Sequence, residues 1–414
     1  MSKMNTLIGA SALALTAGMA FAEGHGCGIE NGRISILSND FPALRAVVER
    51  AQTCATDGIE FSANQTTEHK DIQVAALSAN PSEYTAAVVA NGSILPLLNE
   101  GLIRPLDDLI AEHGQSLSPT QMITIDGQVM AIAFMANAQH LFVRTDILEQ
   151  AGVEIPTTYE EVIEASAAIE DAGIMDDPFA MNTQVGWNLA EEFVNMYLGY
   201  GGEFFEPGTA NVAINNEAGI AALEMLRSLN EYADPDFLTF DSNATSALWE
   251  SGEIAIATMW GSRGATILDE EGSTDEVTSA TQLVGAPTVG GGERPASTLW
   301  WDGFTIASNI SDEDAEATFI AMVNGIDPAV MDGNMDAAVW LIEGYQPGPA
   351  AEGVAATAQS STAPYPMLPY MGLLHTALGN ELADFMQGSE SAEQALADTE
   401  AAYTTAAREQ GYLQ

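Results

Sequence analysis

The sequence predicts an α/β protein with two domains. Its 414 residues exceed what one ordinary hydrophobic core accommodates, and 47% of them are hydrophobic, which suffices for two cores. Apolar segments typical of strands occur at 33–37, 59–63 and 84–90, and the amphipathic segments between them begin at Pro42 and span 67–78. This alternation of strand and helix favours a parallel sheet covered by helices.

Similar patterns predict the elements of the rest of the chain. Thr158 and Glu161 have the spacing of a capping box, and Ser391 and Gln394 repeat it, so a helix is expected to follow each pair's first residue. The other predicted helices span 217–232, 311–324 and 371–386, and the predicted strands span 129–135, 139–143, 254–259, 283–286 and 304–307.

The acidic composition limits the possible partners. The chain has 59 Asp and Glu against 11 Lys and Arg, a formal net charge of -48. Nucleic acids and anionic membrane surfaces bind proteins through clustered Lys and Arg residues, so both are poor partners and no nucleic acid is expected. The acids are scattered through the sequence, which indicates a solvated and mutually repulsive surface.

The segment 1–22 has the pattern of a secretory signal peptide. Lys3 precedes an apolar run at 7–21, and the A-x-A pattern that ends at Ala22 predicts cleavage after that residue. The run is shorter than the ~20 residues of a membrane-spanning helix, so an exported, periplasmic protein is expected. Removal of Lys3 leaves Lys70 as the single lysine of the mature chain.

Two cysteines, Cys27 and Cys54, follow the predicted cleavage site. An even number in an exported chain predicts one disulfide, which would stabilise the fold by ~3 kcal/mol through the unfolded state. Lipidation of Cys27 is the alternative, but His25 and Gly26 do not match the small apolar run that precedes a lipidated cysteine. Two free thiols would be unusual outside the cytoplasm.

Catalytic motifs are absent from the sequence. It contains no H-E-x-x-H, G-x-x-x-x-G-K-[ST] or G-x-S-x-G pattern. The five histidines have no metal-ligand spacing, so neither a metal nor another cofactor is expected. The acids are numerous enough for the carboxylate pair of a glycosidase, but no motif identifies such a pair. A binding protein is therefore favoured over an enzyme.

Four of the six tryptophans lie in the segment 246–308, which also contains a Gly-rich turn. An indole offers a flat apolar face and one donor, and a sugar ring presents an apolar C–H face with polar edges, so the two match. Trp260 fits either a core or a cleft. Trp300 and Trp301 are adjacent, and on a strand they would point to opposite faces, one to the core and one to a cleft.

Two charged residues near these tryptophans in the sequence, Asp302 and Arg263, each have two possible roles. Asp302 would accept hydrogen bonds from sugar hydroxyls, or it would be a turn residue before Gly303. Arg263 is expected at the rim of a cleft, with a surface ion pair as the alternative. Trp249 and Trp340 are expected to pack in the core.

At these residues the chain resembles the family 1 extracellular solute-binding proteins of ABC importers, the relatives of maltose-binding protein. The segment ALWESGEIAIATMWGS is similar to the family's strand that leads to a tryptophan-containing turn. Two segments after it are also similar to the family, LVGAPTVGGG and GFTIASNISDEDAEATFIAMV. Two segments before it are similar as well, LNEGLIRPLDDL and NAQHLFVRTDILEQAGVEIPTTYEEV. Their order and spacing are specific and extend over nearly all the mature chain.

The resemblance implies a type II periplasmic binding protein, with two α/β lobes joined by hinge strands and a ligand cleft between them. The first lobe would comprise 23–136 and 297–340, and the second 137–296 and 341–414. The implied function is to bind a mono- or short oligosaccharide, close at the hinge, and deliver it to the permease of an ABC importer. The implied protein is a monomer without a cofactor.

The resemblance also implies ligand-binding residues. In relatives these residues lie in loops at strand ends, in the hinge and at two aromatic positions of the second lobe. Relatives often have two glycines where this chain has Trp300 and Trp301, which fills the cleft and favours a small ligand. The corresponding residues are Asn39, Asp40, Asn91 and Ser93 in the loops, Asn137 in the hinge, and Trp187 and Tyr370 at the aromatic positions.

Other ligands stay open for the same fold, among them a polyol, a polyamine and glycerol phosphate. A polyamine would need an acidic aromatic box, which Asp40, Asp302 and the tryptophans would form. Glycerol phosphate would need cationic or helix-end donors, and Arg263 alone offers little. A secreted glycosidase is the hypothesis from another class of protein.

Overall fold

A mixed sheet with helices packed against it forms the frame of the protein. The computed structural model describes residues 27–56, 58–269 and 271–414, so the predicted signal peptide and its cleavage after Ala22 lie outside the described residues. The strands are Gly32–Ser38 (β1), Ile59–Gln65 (β2), Ala86–Ala90 (β3), Met122–Ile125 (β4), Gln128–Arg144 (β5), Phe179–Ala180 (β6), Ile256–Trp260 (β7), Thr281–Val284 (β8), Thr298–Ile306 (β9), Val339–Trp340 (β10) and Ala363–Pro364 (β11).

The helices lie between these strands and after them. They are Pro42–Gln52 (α1), His69–Ser78 (α2), Ile94–Asn99 (α3), Asp107–His113 (α4), Thr145–Ala151 (α5), Tyr159–Asp171 (α6), Trp187–Gly199 (α7), Glu217–Asn230 (α8), Ser242–Glu250 (α9), Gly264–Leu268 (α10), Asp275–Ala280 (α11), Asp312–Gly325 (α12), Glu352–Gln359 (α13), Met371–Glu381 (α14), Ala383–Met386 (α15) and Ala392–Glu409 (α16).

The first three strands form the parallel sheet that the sequence predicts. β1 lies between β2 and β3, with Ile34 opposite Phe61 and Ile36 opposite Ala86. All five residues of β3 are buried, as expected of a strand that is covered on both faces. Helix α12 packs against β1 and α1, so helices cover this part of the sheet.

Strand β5 corrects the prediction of two strands at 129–135 and 139–143, because one strand of 17 residues spans both. Asn137, in the expected break, stays in the strand because its side-chain amide has partners there. Its Oδ1 accepts hydrogen bonds from the N–H groups of Ala138 at 3.0 Å and Ser262 at 3.2 Å. The first part of β5 pairs with β4, β9 and β10, and the second part pairs with β7 and β8.

Strand β9 begins earlier than the prediction of 304–307. It starts at Thr298 and therefore includes the tryptophan pair and Asp302. Asp302 lies opposite Met135 of β5 on one side and Ala90 of β3 on the other. It is thus a strand residue, and its alternative role as a turn residue is wrong.

Buried apolar side chains form two large cores and a smaller one. The first gathers residues of β1, β3, α1 and α12, and the second gathers residues of α6, α7, α8, α14 and α16. Trp340 is 3% exposed in the first core, and Trp249 is fully buried beside Phe142 in the small one, which confirms their expected core positions. The lobe boundaries given above stay a prediction.

The helix start at Thr158 is confirmed as a capping box. Its hydroxyl accepts a hydrogen bond from the N–H of Glu161 at 3.1 Å, and the Glu161 carboxylate accepts one from the N–H of Thr158 at 3.3 Å. At the last helix Ser391 caps the N–H of Gln394 at 3.3 Å, but the Gln394 side chain donates to Asp398 instead of completing the box.

Helix α7 is missing from the sequence prediction. Eleven of its 13 residues are buried, so it has no polar face and lacks the periodic pattern of a surface helix. The helix predicted at 371–386 is present but is divided into α14 and α15. Within the part of the chain that the structure describes, no helix is long and apolar enough to cross a membrane.

A disulfide joins Cys27 to Cys54 in the structure, across a sequence separation of 27 residues. Cys54 is the second residue after α1, so the bond fastens the segment before β1 to the end of that helix. Closing a loop of this length in the unfolded chain contributes ~3 kcal/mol to stability in the chain-entropy model.

Gly303 of β9 is required where β9 and β5 approach each other. A Cβ atom at this position would lie 2.6 Å from the carbonyl oxygen of Ile132 and 2.9 Å from the Cα of Ala133. Both are backbone atoms, so Gly303→Ala forces the strands apart, and we expect it to lower the free energy of unfolding by about 1–3 kcal/mol in denaturant titrations.

Gly372 in the first turn of α14 is the matched control. It is exposed and a Cβ there meets no atom within 4 Å, so Gly372→Ala should leave stability unchanged or raise it by up to about 1 kcal/mol. Equal effects of the two substitutions would show that the close approach at Gly303 does not limit stability.

Candidate ligand-binding site

Five rings meet beside the crossing of β5 and β9, and we name them the aromatic cluster. Trp300 is central: its ring centroid lies 5.6 Å from that of Trp187, 5.8 Å from Trp260 and 4.3 Å from Tyr365. The fifth ring, His375, lies 4.9 Å from Trp187. Trp187 is 37% exposed, so solvent reaches the cluster at this residue.

The topology brings these rings together. Trp260 ends β7 and lies opposite Gln139 of β5, at the carboxyl end of the parallel strands β6 and β7, where ligands of open α/β sheets bind. Trp187 is the first residue of α7. β11 pairs with the start of β9, and the Tyr365 N–H donates to the carbonyl of Leu299, which places Tyr365 beside Trp300.

His375 links two other rings of the cluster. Its Nδ1 lies 2.9 Å from the Tyr365 hydroxyl, and its Nε2 lies 3.0 Å from the carbonyl oxygen of Trp187. Burial lowers the pKa of His375 to about 3, so the ring is neutral. His375 therefore holds the cluster together by hydrogen bonds and adds no charge to it.

Trp300 and Trp301 divide between the two cores. The Trp300 indole donates to Oε1 of Glu191 at 3.1 Å and lies 2.8 Å from the hydroxyl of Thr298. Trp301 packs against the first core, and its backbone N–H donates to Oδ1 of Asn91 at 2.9 Å. The structure thus brings Trp300 into the aromatic cluster and turns Trp301 to the other face of β9.

Glu191 is a buried acid directly behind the cluster. Its Oε1 accepts hydrogen bonds from Trp300 and, at 2.7 Å, from Thr298, whereas its buried Oε2 has no partner among the described residues. Burial raises the pKa of Glu191 to about 8, and the two hydrogen bonds oppose that rise. Glu191 is therefore a neutral carboxylic acid at pH 7.

A buried polar network fixes α7 to the crossing strands. Glu192 accepts a hydrogen bond from the Gln139 amide at 3.0 Å, and Gln139 in turn accepts one from Asn195 at 3.0 Å. The hydroxyl of Ser297 donates to the Gln139 carbonyl at 2.7 Å. Burial raises the pKa of Glu192 well above its ordinary value, so this acid is also neutral.

Lys70 and Asp302 bring charge to the cluster. Lys70, near the start of α2, places its Nζ 4.2 Å from the ring centroid of Trp187. Burial lowers the pKa of Lys70, and the negative charge of Asp302 opposes the effect. Burial raises the pKa of Asp302 to about 6, and the positive charge of Lys70 opposes it. Neither side chain has a hydrogen bond or salt bridge of its own to another described residue.

The remaining predicted residues in the loops have partners inside the protein. Asn39 accepts a hydrogen bond from the Asp40 N–H at 2.8 Å, and Asp40 forms an exposed ion pair with Arg45 at 2.6 Å. Asn91 and Ser93 are buried: Asn91 binds the backbone of β9, and the Ser93 hydroxyl accepts from the Ala90 N–H at 2.9 Å. Their contact with a ligand stays a prediction.

Three further predicted residues lie around the cluster. Asn137 is 9% exposed and uses its amide to hold Ser262. Arg263 is near Asp241 and Glu250, whose charges oppose the lowering of its pKa by burial. Asp241 caps α9 and Glu250 ends it. A ligand contact of Asn137 or Arg263 stays a prediction.

Tyr370 lines a cavity that is separate from the aromatic cluster. It lines a cavity of about 1210 Å³ between the loop 208–212 and α16, and its hydroxyl donates to the carbonyl of Thr209 at 2.8 Å. Its ring packs against Phe205 and Tyr412, at 4.7 and 5.8 Å. The tryptophans do not line this cavity, so Tyr370 is not part of the aromatic cluster.

Among the described residues, one group of side chains has the spacing of metal ligands. The potential ligand atoms of Glu112, His113 and Glu316 lie within 4.8 Å of one another on α4 and α12. His113 Nε2 lies 3.0 Å from the carboxylate of Glu316, and this direct contact between the two side chains accounts for the arrangement. It lies in the first core's helices and contributes nothing to the aromatic cluster.

Sequence reasoning missed four residues of this site: Lys70, Glu191, Tyr365 and His375. A signal was available only for Lys70, because it is the single lysine left after removal of the predicted signal peptide. Glu191 is on the helix that the sequence does not reveal. Tyr365 and His375 are far from the other rings in the sequence, and only the fold brings them together.

Glu191→Gln should change how stability depends on pH. Wild-type Glu191 is protonated when folded up to about pH 8, but in the unfolded chain it ionises near its ordinary value of 4.5. Its contribution is fully present below about pH 4.5 and is lost as the pH rises through about 8. Glutamine does not titrate and keeps the acceptor oxygen for Trp300.

The measurement is the free energy of unfolding of both proteins between pH 4 and 9. Relative to the glutamine variant, the wild type should lose a few kcal/mol across this window, since each pKa unit corresponds to about 1.4 kcal/mol. All other titrating groups are common to both proteins and cancel in the difference. Parallel curves would mean that Glu191 is ionised in the folded protein.

Comparison with known proteins places this architecture in a family. The model of the family described as bacterial extracellular solute-binding protein matches residues 40–359. A probable sugar-binding periplasmic protein of Rhizobium meliloti (strain 1021) is 26% identical over 172 residues, which are 40% of this chain and 41% of that relative. The chain thus matches well under half the length of this relative.

Solved structures share the fold over nearly the whole chain. An ABC transporter solute-binding protein of Agrobacterium radiobacter K84 in complex with ribitol has a TM-score of 0.80 at 17% identity, covering 91% of this chain and 99% of the other. The maltose-bound MalE3 of T. maritima has a TM-score of 0.77 at 16% identity, covering 90% and 99%. These likenesses show the two-lobe type II binding-protein fold. Because the family model covers well over half of the chain, the protein belongs to the bacterial extracellular solute-binding proteins.

Proposed function

We propose that this protein is the substrate-binding component of an ABC importer and that it binds a sugar or a polyol at the aromatic cluster. The observation that carries the proposal is the meeting of Trp187, Trp260 and Trp300 with two charged side chains, Lys70 and Asp302, that lack partners of their own. The ribitol- and maltose-bound structures of the same fold, and the sugar-binding relative, support it.

The chemistry of the cluster suits a polyhydroxylated ligand. Indole faces cover the apolar C–H surface of such a molecule, and a few polar groups then fix its orientation. The ammonium of Lys70 would donate to hydroxyl oxygens, and the carboxylate of Asp302 would accept from hydroxyl hydrogens. Partly buried polar groups that lack protein partners cost free energy unless a ligand or water completes them.

The proposed mechanism is closure of the two lobes over the ligand. Contacts between distant parts of the chain support it: Lys70 of α2 lies over Trp187 of α7, and the Asn99 amide donates to the Tyr412 hydroxyl at 2.9 Å. β5 and β9 continue from one core to the other and would serve as the hinge. A bound ligand would stabilise this closed arrangement, which the permease would then receive.

The proposed location is the periplasm, after export and removal of residues 1–22. The sequence pattern of a signal peptide with cleavage after Ala22 and the disulfide between Cys27 and Cys54 support it. The proposed working form is a monomer without a cofactor, and the net charge of -48 argues against nucleic acid as a partner.

Binding without catalysis is part of the proposal, and one observation makes it worth testing. Glu191 and Asp302 are two carboxyl groups near the cluster, and a glycosidase also needs two. Glu191, however, uses Oε1 to hold Trp300 and Thr298. Incubation of the pure protein with maltose and longer oligosaccharides should release no additional reducing sugar, and sustained release would identify an enzyme.

Removing an indole from the cluster should weaken binding. A thermal-shift screen of sugars and polyols would identify the ligand, and tryptophan fluorescence titration would give its affinity. We expect Trp187→Ala and Trp260→Ala each to weaken binding of that ligand at least tenfold, about 1.4 kcal/mol, because each loses a stacking surface.

Trp340→Phe is the matched control, because Trp340 is buried in the first core and its indole donates to the Asn334 carbonyl. This change should lower the melting temperature and leave the affinity within about twofold. Unchanged affinity in both alanine variants would rule out the aromatic cluster as the binding site.

A further inference from the structure

We propose that the site selects an uncharged polyhydroxylated ligand against anionic and cationic analogues, because Lys70 and Asp302 balance each other's charge and both stay free to bind hydroxyl groups. This inference rests on the proposed function, since it specifies the chemical class of the solute that the aromatic cluster takes. It decides between neutral sugars or polyols on one side and uronates, amino sugars, polyamines and phosphate esters on the other.

The position of Lys70 is the first step. Its Nζ lies 4.2 Å from the ring centroid of Trp187, a residue that is 37% exposed. A cation over an indole face is stabilised by the ring without using its N–H donors. Because no described residue accepts a hydrogen bond from this ammonium, its donors stay available to a ligand beside Trp187.

The position of Asp302 is the second step. It lies two residues after Trp300 on β9, and residues i and i+2 of a strand share a face, so Asp302 is on the side of the aromatic cluster. Its backbone pairs with Met135 on one side and Ala90 on the other, which fixes the position of the Asp302 backbone that carries the carboxylate. The positive charge of Lys70 opposes the rise in the pKa of Asp302 that burial causes.

The other titratable groups around Lys70 carry no charge at pH 7 or lie in solvent. His69 and His375 are neutral, because burial lowers their pKa values to about 4 and about 3. Glu191 is neutral for the opposite reason, since burial raises its pKa to about 8. Asp71, the remaining neighbour of Lys70, is exposed, so water and salt screen its charge.

The balance of charge follows from these positions. One ammonium and one carboxylate remain, so the site has no net charge to offer an ionic ligand. A uronate placed at Lys70 would face Asp302, and an ammonium placed at Asp302 would face Lys70. In a site shielded from water such like-charge contacts cost more than they would at the surface. A hydroxyl group avoids both, because it accepts from one partner and donates to the other.

The structure does not support the two charged ligands that the sequence leaves open, a polyamine and a phosphate ester. The acidic box of a polyamine site would need Asp40, but Asp40 pairs with Arg45 on an exposed loop. A phosphate ester would need a second cation beside Lys70, but Arg263 lies near the carboxylates of Asp241 and Glu250. The net charge of -48 attracts cations at long range, so rejection of amines must come from the site itself.

The test compares matched sugars on the full-length mature protein at pH 7. The probes are D-glucose, D-galactose and D-mannose, each with its uronate and its 2-amino-2-deoxy form, together with ribitol and mannitol. Affinities come from calorimetry and from tryptophan fluorescence. We expect the wild type to bind a neutral probe at least tenfold more tightly than the charged forms of the same sugar.

Charge-removal variants then move the preference in opposite directions. Lys70→Met leaves the carboxylate unbalanced and should raise the ratio of amino-sugar to neutral-sugar affinity at least tenfold. Asp302→Asn leaves the ammonium unbalanced and should raise the ratio of uronate to neutral-sugar affinity by a similar factor. The double variant restores the balance and should again prefer the neutral probe, with weaker binding. Lys70→Arg keeps the charge and should keep the wild-type ratios.

The outcomes separate this inference from the function on which it rests. Tighter binding of a uronate or an amino sugar by the wild type, or ratios that stay the same in both single variants, would overturn the inference and leave a solute-binding function in place. A wild type that binds none of the neutral probes and no other sugar or polyol would instead overturn the proposed function. Melting temperatures of all variants establish that each one is folded.

Discussion

The antiparallel pairing of β5 with β9 is the interaction on which both cores and the candidate site depend. Its register sets Asn137 opposite Trp300 and Ala136 opposite Trp301. Because successive side chains of a strand alternate, this register sends one indole toward each core. The close backbone contact at Gly303 keeps the two strands together just beyond the tryptophan pair. A change of register by one residue would therefore exchange the two indoles and dismantle the aromatic cluster.

The sequence predicts those parts of the fold whose signals are local. The parallel strands β1 to β3 are short buried runs between helices, and the capping box at Thr158 lies within four residues. The continuity of β5 is not local, because the Asn137 amide is satisfied by Ser262, 125 residues away. The sequence does not predict helix α7 for another reason. Nearly all of its residues are buried, acids such as Glu191 among them, so the helix lacks the alternation of an apolar and a polar face that identifies a surface helix.

The candidate site is predicted less completely than the fold, and the reason is the chemistry of single residues. Tryptophans are rare and large, so Trp260 and Trp300 are identifiable as candidates from the sequence alone. Charged residues such as Lys70 usually lie in solvent, and nothing next to Lys70 in the sequence indicates that Trp187 covers it. Asp40 is the opposite case. Its position in the sequence suggests a ligand-binding loop, but in the structure its carboxylate forms an ion pair with Arg45.

The polar network of α7 determines how the proposed closure would divide the site. Gln139 and Thr298 are bound to α7, so in the proposed closure the segments that contain them would move with the second core, and the bend would lie on the other side of Asn137. The Trp300 indole is fixed to Glu191 and stays with Trp187 and Trp260, whereas Asp302 pairs with β3 and moves with Lys70. In the proposed closure the aromatic surface would therefore belong to one lobe and the balanced charges to the other. A ligand must satisfy both to keep the lobes together, which couples closure to recognition of an apolar face and hydroxyl groups on the same molecule.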